Sequence, residues 1–289
     1  VRGSGDPKLV IERGWLLLRR VQRPLRREIR GDSVLDRIAF ASNQADPADF
    51  DGDPTRPYNV QPDALLLNFK AVTYGFVPDP ARGVALVLAD PPLAGTQVER
   101  TVRLSAEPCD DWRSALKADF ADARRVRFAG SFPTACGERQ WPVADADPAS
   151  YNARLIEAMW RDLGGKLSGR VVDGIAPAGT KPSFELKSPS LAELVRDINK
   201  YSNNVMAQQL FLTLAMQRWP DQPATADAAR VLLQEWLMSR VGELPPGLQL
   251  DNGSGLSRET RLSAALLARL LQQGWSSPTM PELLSSLPI

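Results

Sequence analysis

The sequence of 289 residues contains no histidine. That absence excludes every Ser-His-Asp triad, every Cys-His pair and every His-ligated metal site. Acid–base chemistry must run on Lys, Asp, Glu, Tyr or Cys. Cysteine is nearly as scarce, with Cys109 and Cys136 alone. Two thiols without histidine cannot supply the four ligands of an ordinary zinc site, so no metal is expected, and no cofactor motif is present. Neither sign of charge dominates. The balance of 35 Lys+Arg against 34 Asp+Glu gives +1, which argues against a nucleic-acid partner. No apolar run reaches the roughly 18 residues of a membrane span, so no transmembrane segment is expected. Internal repeats and low-complexity tracts are missing too.

What is present is a globular composition, 43% hydrophobic and 24% charged, long enough for two ordinary domains. The character changes near residue 150. The first part, 1–150, is rich in Pro, Arg and Asp and carries short β-like runs at Leu65–Phe69, Gly83–Leu88, Gln97–Ser105 and Arg125–Phe128. Arg100 breaks the alternation of the third run. Helices are expected at Leu9–Gln22 and Asp111–Ala123. The second part, 151–289, reads as mostly helical. Ala153–Leu163 is amphipathic and meets Gly164-Gly165. Ser190 and Glu193 form a capping box ahead of Leu191, Leu194, Val195 and Ile198 on one face. Ala207, Leu210, Phe211 and Leu214 mark the apolar face of the next helix. Thr225–Val241, Ser263–Gln273 (stopped by Gly274) and Pro281–Ser286 complete the set.

The cysteines admit two readings, a disulfide or two buried thiols. Their settings, Glu107-Pro108-Cys109-Asp110 and Thr134-Ala135-Cys136-Gly137, are polar and turn-rich, which favours the disulfide. Closing that loop is worth about 3.5 kcal/mol on the chain-entropy estimate. A disulfide implies an oxidising compartment such as a bacterial periplasm.

Two stretches carry candidate chemistry. The first is the polar break Asn199-Lys200-Tyr201-Ser202-Asn203-Asn204 between two apolar helices. Burying unpaired amides and a charge is costly, so this break must line a surface or groove. Ser202 and Asn204 are two apart, and in an extended turn their side chains point the same way. A Ser hydroxyl can pass a proton, and an Asn amide can hold a peptide group. A helix cap is the competing reading of the same residues. The second is Asp251-Asn252-Gly253-Ser254-Gly255-Leu256-Ser257-Arg258, a tight loop that lacks the Lys-Ser/Thr of a phosphate cradle and the spacing of a nucleophile elbow. It reads as a loop that shapes a groove.

Ser202-Asn203-Asn204 resembles the second member of the set Ser-x-x-Lys, Ser-Asp-Asn and Lys-Thr-Gly found in penicillin-binding proteins. With no histidine, a serine hydrolase here would need Lys as its base, which is the chemistry of that set. Within that superfamily the chain resembles the class C, type-4 penicillin-binding proteins, the D-alanyl-D-alanine carboxypeptidase/endopeptidases. The stretches that carry the resemblance, in order, are Gly5-Asp6-Pro7, Gly31 to Arg37, Tyr58 to Leu65, Ala135 to Glu138, Lys200 to Asn204 and Asp251 to Arg258.

The resemblance implies an α+β fold: the helical part of a penicillin-binding/β-lactamase-like domain at 151–289, plus β-rich inserted domains at 1–150. It implies periplasmic action on peptidoglycan stem peptides, with β-lactams as ligands of the full-length parent. Ser202 would relay a proton toward the leaving amine, Asn204 would hold the substrate amide, and Lys200 would add a positive field for substrate binding. The chain also departs from the family. The family's Ser-x-x-Lys lies upstream of Gly-Asp-Pro and its Lys-Thr-Gly lies beyond the position of Ile289. The one Ser-x-x-Lys string, Ser114-Ala115-Leu116-Lys117, falls in the insert. The expectation is therefore a truncated and inactive DD-peptidase. A non-catalytic periplasmic binding or scaffolding protein on the same fold is the rival.

Overall fold

The computed structural model describes residues 1–25, 28–42 and 45–288. The fold is α+β, with a sheet-rich region followed by a run of helices. Helix α1 (Ile11–Leu25) is strongly amphipathic and lays Leu18 and Gln22 inward. Strands β1 (Glu28–Ile29) and β2 (Ser33–Leu35) pair in parallel with β11 (Lys166–Leu167) and β12 (Val171–Asp173). These two pairings join chain on both sides of residue 150.

The main sheet lies between Ala71 and Ala144. It contains β3 (Ala71–Asp79), β4 (Val84–Asp90), β6 (Thr101–Ser105), β9 (Ser131–Pro133) and β10 (Arg139–Ala144), in the order β10-β3-β4-β6-β9. Alternation in β3 sends Val72, Tyr74 and Phe76 inward. A smaller sheet of β5 (Gln97–Val98), β8 (Arg125–Phe128) and β7 (Ala118–Asp119), with β8 central, packs beside it. Phe76 stacks on Phe132 and meets Phe128 and Trp112 edge-on, at centroid distances of 5.2–5.7 Å. Such ring pairs add about 0.5–1.5 kcal/mol each beyond area burial. Cys109 and Cys136 form a disulfide across this region, with Cα atoms 4.9 Å apart.

Three expectations for this half are corrected. The Gln97–Ser105 run is two strands, broken at Glu99–Arg100, where Val87 N donates to Arg100 O from the neighbouring strand. Leu65–Phe69 is not a strand. Leu65 and Leu67 point into the main core, while Leu66 packs against Val60, Ala144 and Val205. This extended segment is buried on both sides and has only an isolated bridge, Leu67 with Leu9. It ends in three consecutive left-handed residues, Asn68, Phe69 and Lys70 (φ 43°, 52° and 47°). The helix expected over Asp111–Ala123 is one turn, α2 (Trp112–Ala115), capped by Asp111. Lys117 turns left-handed (φ 46°), and Phe120 joins the aromatic cluster against Tyr74 and Trp141. Tertiary packing of Trp112 and Phe120 overrides helical periodicity there.

Helix α3 (Tyr151–Asp162) buries Tyr151, Leu155, Ile156, Met159 and Trp160 against the first core. Gly165 follows because a Cβ there would lie 2.4 Å from the Trp160 ring. Arg154, 5% exposed, pairs with Asp145 and donates to Ser150 Oγ, Thr96 Oγ1 and Ala123 O.

The helical run is α4 (Leu191–Tyr201), α5 (Asn204–Arg218), α6 (Ala226–Val241), α7 (Ala264–Trp275) and α8 (Met280–Ser286). The capping box of Ser190 and Glu193 is formed. Thr225 and Ser263 cap α6 and α7 through their hydroxyls. Two details depart from expectation. Helix α7 runs through Gly274 to Trp275, since a glycine there leaves room for Leu283 Cδ2 (2.6 Å from a built Cβ). The buried face of α5 is Val205, Met206, Gln208, Gln209, Phe211, Leu212 and Ala215, while Leu214 is exposed. Gln209 turns inward because it clamps a backbone: it accepts from Asp63 N (2.9 Å) and donates to Asp63 O (2.8 Å). Among the described residues, no helix is long and apolar enough to cross a membrane.

Candidate functional site

The break between α4 and α5 is a sharp corner. Ser202 closes α4 in the left-handed region (φ 51°, ψ 47°), with its N–H donating to Ile198 O. Asn203 is extended, and its Oδ1 accepts from Met206 N at 3.1 Å. The side-chain cap of α5 is therefore Asn203, the residue between the two candidates. The corner is not a plain extended turn: Ser202 is left-handed and Asn204 is already helical. Ser202 is exposed, and among the described residues its hydroxyl has no hydrogen-bond partner. Asn204 is half-buried. Its Nδ2 donates to Ser254 O at 2.8 Å.

That bond brings the two candidate stretches together. Ser254 is 4% exposed and held from three sides. Its N–H and Oγ both donate to Asn252 Oδ1 (3.0 and 2.7 Å), and its Oγ accepts from Leu256 N (2.9 Å). Gly253 is left-handed (φ 72°), and a Cβ on it would press 2.7 Å from Phe211 of α5. Glycine is thus required where the loop lies against the helix. The loop so fixed presents one carbonyl to Asn204 and determines how the amide faces.

The other side of the corner is tied to α8. Asn199 Nδ2 donates to Ser286 Oγ (2.8 Å), and Ser286 is fully buried. The Lys200 ammonium donates to Leu287 O. Lys200 therefore serves a carbonyl of the chain beside the corner. Asp197, one turn earlier, takes the Lys8 ammonium and anchors the Gly5-Asp6-Pro7 segment on α4. Asp6 in turn accepts from Arg13 at 2.7 Å.

Arg258 reaches away from the loop and donates to Phe50 O through Nε and Nη2 (2.9 and 2.7 Å), with its guanidinium over the Phe50 ring. The neighbouring chain is a polar knot. Tyr58 Oη donates to Asp51 (2.6 Å) and holds that carboxyl below the usual carboxylate range, while Asn59 donates to the same group (2.8 Å). The sequence reading missed Asn252 as the holder of Ser254. Its signal was there: an Asx residue two before a serine, next to a glycine, is the pattern of a side chain bonding the backbone two residues on.

Ser114 and Lys117 are both exposed. Ser114 lies in the single turn of α2 and Lys117 beyond its end.

The whole chain, residues 1–289, matches the D-Ala-D-Ala carboxypeptidase 3 (S13) family. The chain belongs to that family. It is 23% identical to the D-alanyl-D-alanine carboxypeptidase DacB of Haemophilus influenzae across its full length, covering 60% of that protein. Half of it is 32% identical to a D-alanyl-D-alanine carboxypeptidase of Actinomadura sp., over 27% of that protein. The crystal structure of penicillin binding protein 4 (dacB) from Haemophilus influenzae superposes over all of this chain, with a TM-score of 0.76 at 20% identity. A second structure of that protein, complexed with a novel beta-lactam, gives a TM-score of 0.67. This family member spans about 60% of the length of the Haemophilus relatives.

Proposed function

We propose that these residues form the inserted and helical parts of a serine-type D-Ala-D-Ala carboxypeptidase/endopeptidase that acts on peptidoglycan stem peptides in the periplasm. The division is β-rich inserts at 1–150 and the helical part of the DD-peptidase domain at 151–289. The five-stranded sheet within the first and α4–α8 within the second support it.

The observation that carries the reading is the corner itself. An exposed Ser202 hydroxyl, without a hydrogen-bond partner among the described residues, stands two residues from an Asn204 amide whose direction is set by Ser254 O. In the reaction, Ser202 relays a proton toward the leaving amine of the D-Ala-D-Ala bond, and Asn204 holds the substrate amide. Lys200 contributes positive field from one turn back. β-Lactams are ligands of the same site because they acylate the nucleophile in place of the peptide.

The nucleophile is not among these 289 residues on this reading. The sequence has no Lys-Thr-Gly, and its one Ser-x-x-Lys lies on an exposed turn of the insert. The 289-residue chain alone is therefore expected to form no covalent adduct with a labelled penicillin, as read by intact-mass spectrometry. A stoichiometric adduct on Ser114, Ser202 or Ser254 overturns that part. In an enzyme completed with the family's Ser-x-x-Lys and Lys-Thr-Gly segments, Ser202→Ala lowers kcat by roughly 10²–10⁴, the usual worth of a positioned proton-transfer group. Its stability stays within about 0.5 kcal/mol. Full turnover in that variant would make the Ser202 corner a helix cap and overturn the site assignment.

A further inference from the structure

Charge is balanced over the whole chain and unbalanced along it. Between Arg19 and Arg30 the sequence holds six arginines against one glutamate, a balance of +5 in a chain whose total is +1. The remainder therefore carries −4. Two of the six, Arg26 and Arg27, lie outside the described residues and enter by sequence alone. A basic block beside an amphipathic helix is a pattern of surface attachment.

Helix α1 carries the first three arginines. Gly14, Leu18 and Gln22 form its buried face, while Glu12, Trp15, Leu16, Arg19, Arg20 and Arg23 are exposed. Those six positions follow the spacing i, i+3, i+4, i+7, i+8 and i+11, a single stripe along the outside of the helix. Trp15 is 42% exposed and Leu16 51%. Beyond Glu12, the stripe therefore runs from two apolar side chains to three arginines.

These arginines are not spent on carboxylates. Arg19 lies over the Trp15 ring at 5.3 Å and donates to Gln22 Oε1 (2.9 Å). Arg20 lies over the Phe184 ring at 4.2 Å and donates to Glu185 O (3.0 Å). Among the described residues, none of Arg19, Arg20 and Arg23 forms a salt bridge. Elsewhere Arg37, Arg154 and Arg230 each face an aspartate. The one glutamate of the block, Glu28, is answered by Arg30 (3.3 Å). The segment that meets Arg20, Lys181 to Lys187, adds two lysines against Glu185.

The two kinds of side chain together name the partner. A soluble anion needs the guanidinium groups alone. Trp15 and Leu16 in the same stripe need an apolar phase beside the anions. An anionic bilayer surface offers both: phosphates for the guanidinium forks and the acyl boundary for an indole and a leucine. We propose that the outer face of α1 docks flat on an anionic lipid surface, with Arg19, Arg20 and Arg23 on headgroup phosphates and Trp15 and Leu16 in the interface. Such binding is peripheral and needs no membrane-crossing helix. It does not depend on the peptidase reading.

The test is cosedimentation of the 289-residue chain with extruded vesicles, of phosphatidylcholine alone and of phosphatidylcholine with phosphatidylglycerol at about 3:1. Binding is expected to be at least about tenfold stronger on the anionic vesicles, and to weaken by a similar factor in about 0.5 M NaCl. Arg19→Gln/Arg23→Gln and Trp15→Ser/Leu16→Ser should each weaken it about fivefold or more. Arg125→Gln/Arg127→Gln removes the same charge from exposed positions of β8 and should bind as the unaltered chain does. Far-UV circular dichroism and melting establish that each variant folds. If Trp15→Ser/Leu16→Ser does not fold, the two arginine pairs decide. Poly-L-glutamate, at an equal concentration of negative groups, stands for an acidic protein surface and should bind more weakly than the anionic vesicles. The proposal is overturned if neither vesicle sediments the chain or both do so alike. It is equally overturned if the β8 pair matters as much as the α1 pair, if folded Trp15→Ser/Leu16→Ser binds unchanged, or if poly-L-glutamate binds as tightly as the anionic vesicles.

Discussion

The sheet region between Ala71 and Ala144 and the helices from Leu191 to Ser286 use their apolar residues in opposite ways. In the sheet region, Tyr74, Phe76, Phe128 and Phe132 are all at most 5% exposed and pack on one another beside a disulfide. In α6, α7 and α8, Trp236, Leu267, Leu271, Trp275 and Leu284 are 42–62% exposed. Exposed apolar groups on this scale mark surfaces made for packing rather than for solvent. The sheet rings lie in the larger core cluster, shared with α1 and α3, whereas the helices from Leu191 on bury a smaller one around Phe211, Leu212 and Ala229. The candidate corner sits on the less self-sufficient side, where its geometry depends on side-chain bonds: Asn199 to Ser286, Asn204 to Ser254, Ser254 to Asn252.

That contrast can be broken most forcefully at Arg154. Both it and Asp145 have side chains 6% exposed, and Arg154 ties α3 to the smaller sheet through Thr96 and Ala123. Removing one partner strands a buried charge, so Arg154→Met should lose about 3–5 kcal/mol in urea unfolding. The double variant Arg154→Met/Asp145→Leu should recover much of that loss. A single variant as stable as the parent would mean that the sheet region does not lean on this pair.

The disulfide comes next. Replacing Cys109 and Cys136 together by alanine should cost about 3.5 kcal/mol, the loop-closure entropy of a crosslink of this separation. The loss should appear in hydrogen exchange of β6, β9 and β10, and leave exchange in α6 and α7 unchanged. Equal loss in both regions would merge what the comparison separates.

Ser254→Ala sharpens the other side. It removes an acceptor for Leu256 N and a donor to Asn252, for a loss of about 1 kcal/mol. Because the Asn204 amide then faces a looser carbonyl, its side-chain N–H resonances should exchange faster. Unchanged exchange would show that the loop is set by Gly253 against Phe211 alone.

These dependencies were only partly legible in the sequence. The α+β character and helices α1 and α3–α8 were readable, because apolar spacing and caps such as Ser190/Glu193 act locally. Leu65–Leu67 misled, since a run of apolar residues reads as a strand whether or not a ladder partner exists. Asp111–Ala123 misled because Trp112 and Phe120 answer to distant rings. The buried face of α5 was misplaced because Gln208 and Gln209 are polar, and Gln209 is buried to bond a backbone 146 positions away. Ser202 and Asn204 stood out as a polar break, but that Asn203 makes the cap depends on backbone angles no spacing reveals.

The smallest expected effect tests how α4 is started, at the end opposite the corner. Ser190 N–H and Oγ donate to Glu193 Oε2 (both 2.8 Å), and these bonds hold the Glu193 carboxyl below its ordinary value of 4.5. A carboxylate with a depressed folded-state pKa stabilises the fold above its unfolded pKa, and that stabilisation fades as pH falls through the folded value. Glu193→Gln keeps a hydrogen-bonding side chain without the charge. Melting temperatures of the chain and of this variant should therefore differ by a constant small amount at neutral pH, with the unaltered chain higher. The gap should begin to close below about pH 4.5. Glu193 is fully solvated, so salt should narrow the gap as well. A gap that does not change with pH would mean that the amide caps as well as the carboxylate, and that α4 is set by Leu194 in the core and by its ties to α8.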